Sequence, residues 1–260
     1  MRVTNGIEVG IIGNGVVGGS LSKWLKENTK NHINIYDPAL GFNDDLSSCE
    51  VCFIAVPVPT IEGGQDISIL EESVKRCPPG AVIFVRSTVL PGTCDKLFLK
   101  YKKMVCHAPE FLTERSRDTD MNRMKLVLGY PHLEAKAIIA NAAARVLNKR
   151  KAYLIKPNIE CELGKYIHNC HGAMKVNFFN MARNICVKND VDYESMLEIV
   201  HLSGYVGKNH TQVPGPDGKF GYGGTCFPKD MKAFIEFLPE SPEKNWLKQA
   251  DIMNEIYRIK

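Results

Sequence analysis

The sequence predicts an α/β protein: a doubly wound parallel sheet followed by an all-α domain. Three observations carry this. Short apolar runs alternate with amphipathic helical patterns over residues 1–156, as in a parallel sheet wrapped by helices. A glycine-rich turn joins the first run to the first helix. Beyond about Lys156, strand patterns stop and helical periodicity takes over. The expected division is therefore residues 1–156 and residues 157–260.

The elements follow in order. Gly6–Ile12 is apolar and runs into glycines, then an amphipathic stretch at Ser20–Lys26. Ile33–Tyr36 is a second short strand. Val51–Val56, Ala81–Val85 and Lys125–Leu128 are continuous apolar runs, as buried parallel strands are. Helical patterns at Ile67–Arg76 and His132–Leu147 lie between and after them. Asn158–Asn189 reads as one unusually long helix, followed by a helix at Asp192–Leu202. A loop rich in glycine and proline spans Gly204–Gly224. Helices at Lys229–Phe237 and Pro242–Ile259 close the pattern.

The 260 residues are 44% hydrophobic and 24% charged, the balance of a soluble globular protein. No apolar run is long enough to span a membrane, and the N-terminus does not read as a signal peptide. A cytoplasmic location is expected. Nine cysteines there read as free thiols rather than a disulfide framework. Cys161, His168, Cys170 and His171 look metal-like, but on one helix Cys170 points away from the face of the two histidines, so no metal is expected. The net charge of +4 is mild and its basic residues are dispersed, which does not indicate nucleic-acid binding.

Gly13-Asn14-Gly15-Val16-Val17-Gly18 is GxGxxG, after a strand and opening a helix. Asp37 ends the next strand. That context is the Rossmann dinucleotide fingerprint. Gly13 makes the tight turn, Gly15 lets the backbone reach a pyrophosphate, and Gly18 allows close helix–strand packing. The helix N-terminus offers free N–H groups to the phosphates. Asp37 would accept hydrogen bonds from ribose hydroxyls and repel a 2′-phosphate, so NAD is expected rather than NADP. A nicotinamide cofactor makes hydride transfer the leading reaction type.

Four further stretches read together: RSTVLPGT (86–93), APEFLTE (108–114), ELGKYIHNCHGAMKVNFFN (162–180) and GYGGTCFPKD (221–230). Lys165 and Asn169 are spaced i, i+4 and share a helix face. Asp230 follows Cys226 by four residues, on a helix expected to open at Pro228. In order and approximate spacing these stretches resemble the nucleotide-sugar 6-dehydrogenases, the UDP-glucose/GDP-mannose dehydrogenase family.

That resemblance implies an NAD-dependent, four-electron oxidation of a sugar CH₂OH to a carboxylate, with UDP-glucose as the leading substrate and GDP-mannose the second. Cys226 would be the nucleophile, passing through a thiohemiacetal and a thioester. Lys165 and Asn169 would stabilise the oxyanion. Asp230 with Thr88 would position water or accept a proton, and Glu114 would serve as base for thioester hydrolysis. Cofactor contacts are expected from Val56, Pro57, Ser87, Thr88 and Lys229 besides the glycine turn. Substrate contacts are expected from Glu110, Phe111, Leu112, Phe220 and Gly221 besides Lys165 and Asn169.

The family has a further α/β domain that grips the nucleotide, and this chain ends at EIYRIK, near the close of the central helices. The expectation is a truncated form that holds NAD well and the nucleotide weakly, with a separate nucleotide-binding chain as a candidate partner. A homodimer through the central helices is expected, with Trp246, Ala250, Met253 and Tyr257 as an apolar stripe needing cover. Two other readings stand beside this one. A two-electron β-hydroxyacid dehydrogenase would share the architecture but need no cysteine nucleophile. A non-catalytic NAD-binding subunit would have no use for Lys165, Asn169, Cys226 and Asp230.

Overall fold

Strand β1 (Glu8–Ile12) is the centre from which the sheet grows in both directions. The computed structural model describes residues 6–112, 117–123, 125–147 and 153–259. On one side of β1 lie β2 (His32–Asp37) and the two-residue β3 (Phe42–Asn43). On the other lie β4 (Val51–Ile54), β7 (Val82–Val85) and β8 (Met104–His107). Between them the chain makes a small hairpin, β5 (Thr60–Ile61) and β6 (Gly64–Gln65). The order is β3-β2-β1-β4-β7-β8. Every pair is parallel except the edge strand β3, which runs antiparallel to β2. The order reverses between β1 and β4, the switch point where such sheets leave a crevice at their carboxyl ends. A separate parallel pair joins β9 (Leu126–Tyr130) to β10 (Tyr153–Pro157).

The described helices are α1 (Val16–Asn28), α2 (Ser68–Arg76), α3 (Thr93–Tyr101), α4 (Arg117–Arg123), α5 (Lys136–Leu147), α6 (Asn158–Lys188), α7 (Tyr193–Leu202), α8 (Phe227–Phe237) and α9 (Pro242–Ile259). The chain divides into two compact units, Met1–Pro59 with Gln65–Lys165, and Thr60–Gly64 with Tyr166–Lys260.

In the first unit the sheet is covered on both faces, which is why β4 and β7 are apolar throughout. Val9, Ile11, Phe53 and Phe84 pack with Leu21, Trp24 and Leu25 of α1 and Ile139 and Val146 of α5. Ile12, Cys52, Ile54, Ile83 and Val85 pack with Leu70 and Val74 of α2 and Leu97 of α3. The doubly wound sheet is therefore as expected. Several bounds differ. Strand β4 stops at Ile54 rather than Val56, and α1 begins at Val16, inside the GxGxxG run.

Asn158, at the start of α6, ties that helix into the first unit. Its amide donates to Asp95 Oδ1 (2.8 Å) and to the Val105 carbonyl (3.1 Å), and its Oδ1 accepts from the His107 N–H (2.8 Å). Glu162, one turn on, caps α3 by accepting from the N–H groups of Gly92 (2.5 Å) and Cys94 (2.8 Å). A carboxylate suits the positive end of a helix, but burial pushes the Glu162 carboxyl up to about 7.

In the second unit, Phe179 and Cys186 of α6 meet Tyr193 and Leu197 of α7 and Val213 of the following loop. Tyr166 of α6 stacks on Phe234 of α8 with ring centroids 5.2 Å apart. Tyr257 of α9 is buried while Trp246 is 64% exposed, so the stripe expected on α9 is divided. Its C-terminal end packs within its own chain. Among the described residues no helix is long and apolar enough to cross a membrane.

Candidate active site

The dinucleotide crevice lies in the first unit at the carboxyl ends of β1, β2 and β4. Gly13 has φ of +85°, and a Cβ there would sit 2.7 Å from the Ala55 carbonyl oxygen. A Cβ on Gly18 would come within 1.9 Å of the Gly13 oxygen. Both positions therefore require glycine. A Cβ on Gly15 would meet nothing within 4 Å, so that stretch of backbone faces open space. Asp37 Oδ2 accepts the Asn14 N–H at 2.7 Å, fixing the acid beside the turn and leaving its other oxygen free to accept. Ser87 Oγ donates to the Val56 carbonyl at 2.6 Å and joins the ends of β4 and β7. Val56 is buried and Pro57 exposed, while Thr88 is half-buried with its carbonyl accepting from Gln65 Nε2 at 3.2 Å. This arrangement fits a dinucleotide, with phosphates at the α1 N-terminus and ribose at Asp37.

The same unit holds Lys165, 3% exposed, on α6. Its Nζ donates to the Glu110 carbonyl (2.5 Å), pairs with Glu110 Oε1 (3.1 Å) and lies 5.3 Å from the centre of the Phe111 ring. Leu112 N–H donates to Glu110 Oε2 at 2.7 Å. Arg86 and His107 are wholly buried nearby. Burial, helped by the charges of Lys165 and Arg86, pulls His107 down to about 3, so it is a neutral imidazole. Its Nε2 lies 3.3 Å from the Ser87 carbonyl, and its Nδ1 has no hydrogen-bond partner among the described residues.

The second unit holds Asn169, Cys226, Lys229 and Asp230. Asn169 and Asp230 are both buried, and the Asn169 amide donates to Asp230 Oδ2 at 2.5 Å. Asp230 Oδ1 is paired with the Lys229 ammonium. His168 Nδ1 lies 3.0 Å from Asn169 Oδ1. Cys226 caps α8 and is exposed, whereas each of the other eight cysteines is buried. Its Sγ lies 3.7 Å from Thr225 Oγ1. The loop before it is clamped from two helices. Gly221 N–H donates to Asn180 Oδ1 of α6 (3.0 Å), and Asn254 of α9 bonds both the N–H and the carbonyl of Tyr222 (2.6 and 3.1 Å). Gly221 has φ of +69°, and a Cβ there would meet Asn254 Oδ1 at 2.5 Å. Phe220 is half-buried beside the α6–α7 core.

The anticipated groups thus gather as two clusters, Lys165 with Glu110 in one unit and Asn169, Asp230 and Lys229 beside Cys226 in the other. Lys229 engages Asp230. Glu114 lies outside the described residues. Sequence reasoning passed over Arg86 and His107, and weighed His168 only as a metal ligand. The signal for the first two was a charged or polar residue at the end of an otherwise apolar strand. It also passed over a C-x-x-C spacing, Cys49-Glu50-Val51-Cys52, whose two thiols are buried against Gly10.

Fold and crevice together define a Rossmann-type dinucleotide-binding protein with a helical second unit. Two family models match the chain: the NAD binding domain of the UDP-glucose/GDP-mannose dehydrogenase family over residues 20–146, and the central domain of that family over residues 160–256. The chain belongs to the UDP-glucose/GDP-mannose dehydrogenase family, and NAD is its cofactor. A UDP-glucose 6-dehydrogenase of Rickettsia felis is 29% identical over 224 residues, 82% of this chain and 48% of that protein. The chain spans about half the length of the curated relatives it matches. Among solved structures, a UDP-glucose dehydrogenase from Pyrobaculum islandicum superposes with a TM-score of 0.77 at 23% identity, over 98% of this chain and 69% of that one. A UDP-D-ManNAc dehydrogenase from Pyrococcus horikoshii superposes with a TM-score of 0.81 at 18% identity, over 96% and 68%. At these identities the two structures share the fold.

Proposed function

We propose that this chain carries the chemistry of a nucleotide-sugar 6-dehydrogenase, oxidising the 6-hydroxymethyl of UDP-glucose to a carboxylate. The observation that carries the reading is Cys226. It is the exposed thiol among nine, held at a helix N-terminus on a clamped glycine loop, one turn from the buried Asp230–Asn169 pair. NAD supplies the hydride acceptor for each of two successive oxidations. The chain's own residues must do the rest. An aldehyde cannot give up a second hydride until a nucleophile adds to its carbonyl carbon. The Cys226 sulfur adds there, and the resulting thiohemiacetal becomes a thioester on oxidation. Water then cleaves the C–S bond, releasing the acid and the free thiol. The Lys165 ammonium and the second Asn169 amide hydrogen are donors for the oxyanion of each stage. Asp230, held by Asn169 and Lys229, is a proton acceptor for the attacking water.

Cytoplasmic location and a homodimer through the central helices belong to the same reading. The test is product analysis with NAD and a panel of nucleotide sugars. Wild type is expected to form two NADH per uronate. Cys226→Ser is expected to form no uronate and at most one NADH per sugar. Uronate at the wild-type rate from the serine variant would remove the nucleophile assignment. One NADH per substrate in wild type would favour a two-electron dehydrogenase.

A further inference from the structure

Arg86 is a buried cation that forms no ion pair with a described residue. Its side chain leaves the end of β7 and is 2% exposed. Nη1 reaches the Ala108 carbonyl at 3.4 Å, and Nε has no hydrogen-bond partner among the described residues. Burial pulls the guanidinium down to about 10, opposed by the negative charge of Glu110, so it stays charged at neutral pH. A buried, unpaired charge is destabilising unless something compensates it. Two acids, Glu110 and Asp120, line a small cavity with Arg86, closed by Phe111, Leu112 and Leu126. Glu110 holds Lys165 through both its carboxylate and its carbonyl. In that state the carboxylate already compensates the ammonium. A cation that is to stabilise an oxyanion is most effective when its resting counter-charge moves away as the new charge forms.

We propose that Glu110 is a two-position carboxylate and Arg86 its second seat. Glu110 holds Lys165 at rest and swings onto the Arg86 guanidinium when the ammonium turns to the substrate oxygen. Arg86 is then a positioning residue for Lys165. It never touches substrate, and the buried guanidinium offsets the cost of parting Glu110 from Lys165. The assignment rests on Lys165 being the oxyanion donor of the reaction above.

Two experiments separate this inference from that reading. The first needs no turnover. In the NAD-bound Lys165→Met variant, Glu110 loses its resting partner and is expected within hydrogen-bond distance of Arg86 Nε in a crystal structure. The Arg86 Nε–H resonance should move downfield and gain exchange protection. Lys165→Met combined with Glu110→Gln should show neither change. Glu110 remaining off Arg86, or Asp120 taking the guanidinium instead, overturns the proposal. The second is a double-mutant cycle with NAD and UDP-glucose. Arg86→Gln is expected to lower kcat by about 10- to 100-fold, part of what a lost oxyanion donor costs. KM for NAD should stay unchanged, and Arg86→Lys should recover most of the rate. In a Glu110→Gln background the further loss from Arg86→Gln should fall to about twofold or less, since coupled residues are not additive. Full additivity overturns the proposal. A wild type without turnover but with the Glu110 shift in Lys165→Met would instead remove the proposed reaction and leave the two-position carboxylate standing.

Discussion

Asp37 is the carboxylate proposed to set the choice of cofactor. One oxygen is committed to the Asn14 N–H, which holds the acid against the glycine turn. The remaining acceptor capacity faces the place where a ribose diol would sit. Asp37→Ala is expected to weaken NAD by roughly 10- to 100-fold, the range for a hydrogen bond to a charged group. The same change should narrow the gap to NADP. Calorimetric titration of both cofactors checks this, and tighter NADP binding in wild type would contradict the assignment. His107 sets a different kind of prediction. Its imidazole is pulled from 6.5 to about 3 in the fold. Between those values the unfolded chain binds a proton that the folded chain refuses. Stability therefore falls as pH drops from about 6.5 toward about 3, by a few kcal/mol in total. His107→Gln should flatten that part of a pH series of urea midpoints, with little change above pH 7. An unchanged acid slope would show that other groups govern it. Asp37 and Cys226 could be singled out in sequence because each sits in a short motif with its own chemistry. Arg86 and His107 were not, because their meaning comes from Lys165, which only packing brings near.

At the scale of elements, Gly172 shows how two helices meet beside the Cys226 loop. It lies mid-way along α6, where glycine costs about 1 kcal/mol relative to alanine. Propensity alone therefore favours Gly172→Ala. The added Cβ, however, would lie 2.6 Å from Cζ of Phe227, the first residue of α8 after Cys226. That ring is flanked edge-on by His210 at 5.2 Å and Tyr222 at 6.5 Å, so it has little room to retreat. Overpacking of this kind costs about 1–3 kcal/mol, which outweighs the propensity gain. The variant is expected to melt lower than wild type and to react more slowly at Cys226 with a thiol reagent. A higher melting temperature would mean the ring moves freely. Elements that packed both faces of the sheet were read correctly from their apolar runs. The stretch 93–107 was not. Thr93–Tyr101 places Cys94, Leu97 and Phe98 at helical spacing, but it is nine residues long and follows Pro91-Gly92, which reads as a turn. The four residues of β8 are too few to show any period. The pair β9–β10 was only half seen, because β10 alternates half-buried and exposed positions whereas β4 and β7 are buried throughout.

At the scale of the molecule, α6 determines the expected assembly. Its 31 residues extend for roughly 46 Å. One face of it is buried by the chain itself, through Tyr166, Ala173, Phe179 and Cys186. Another face carries Ile167, Phe178, Met181 and Ile185, each at least 41% exposed. Ile199 and Leu202 of α7 and Tyr205 just beyond it add exposures of 75%, 88% and 93% in the same unit. Single exposed apolar residues are ordinary, but a run of them along one long helix marks an interaction surface. A second copy of the same chain is the simplest cover, because an isologous pairing of α6 with its symmetry mate buries the same stripe twice. The length of α6 prompted the dimer expectation in the sequence, but the stripe on α9 was placed wrongly at its end, since Tyr257 is buried. The predicted state is a dimer of about twice the 29.1 kDa chain mass, measured by light scattering at micromolar concentration. Phe178→Glu with Ile185→Glu should give a monomer that still binds NAD, since both substitutions lie on the exposed face in the second unit. A monomeric mass in wild type, or a dimer that survives both charges, would place the interface elsewhere.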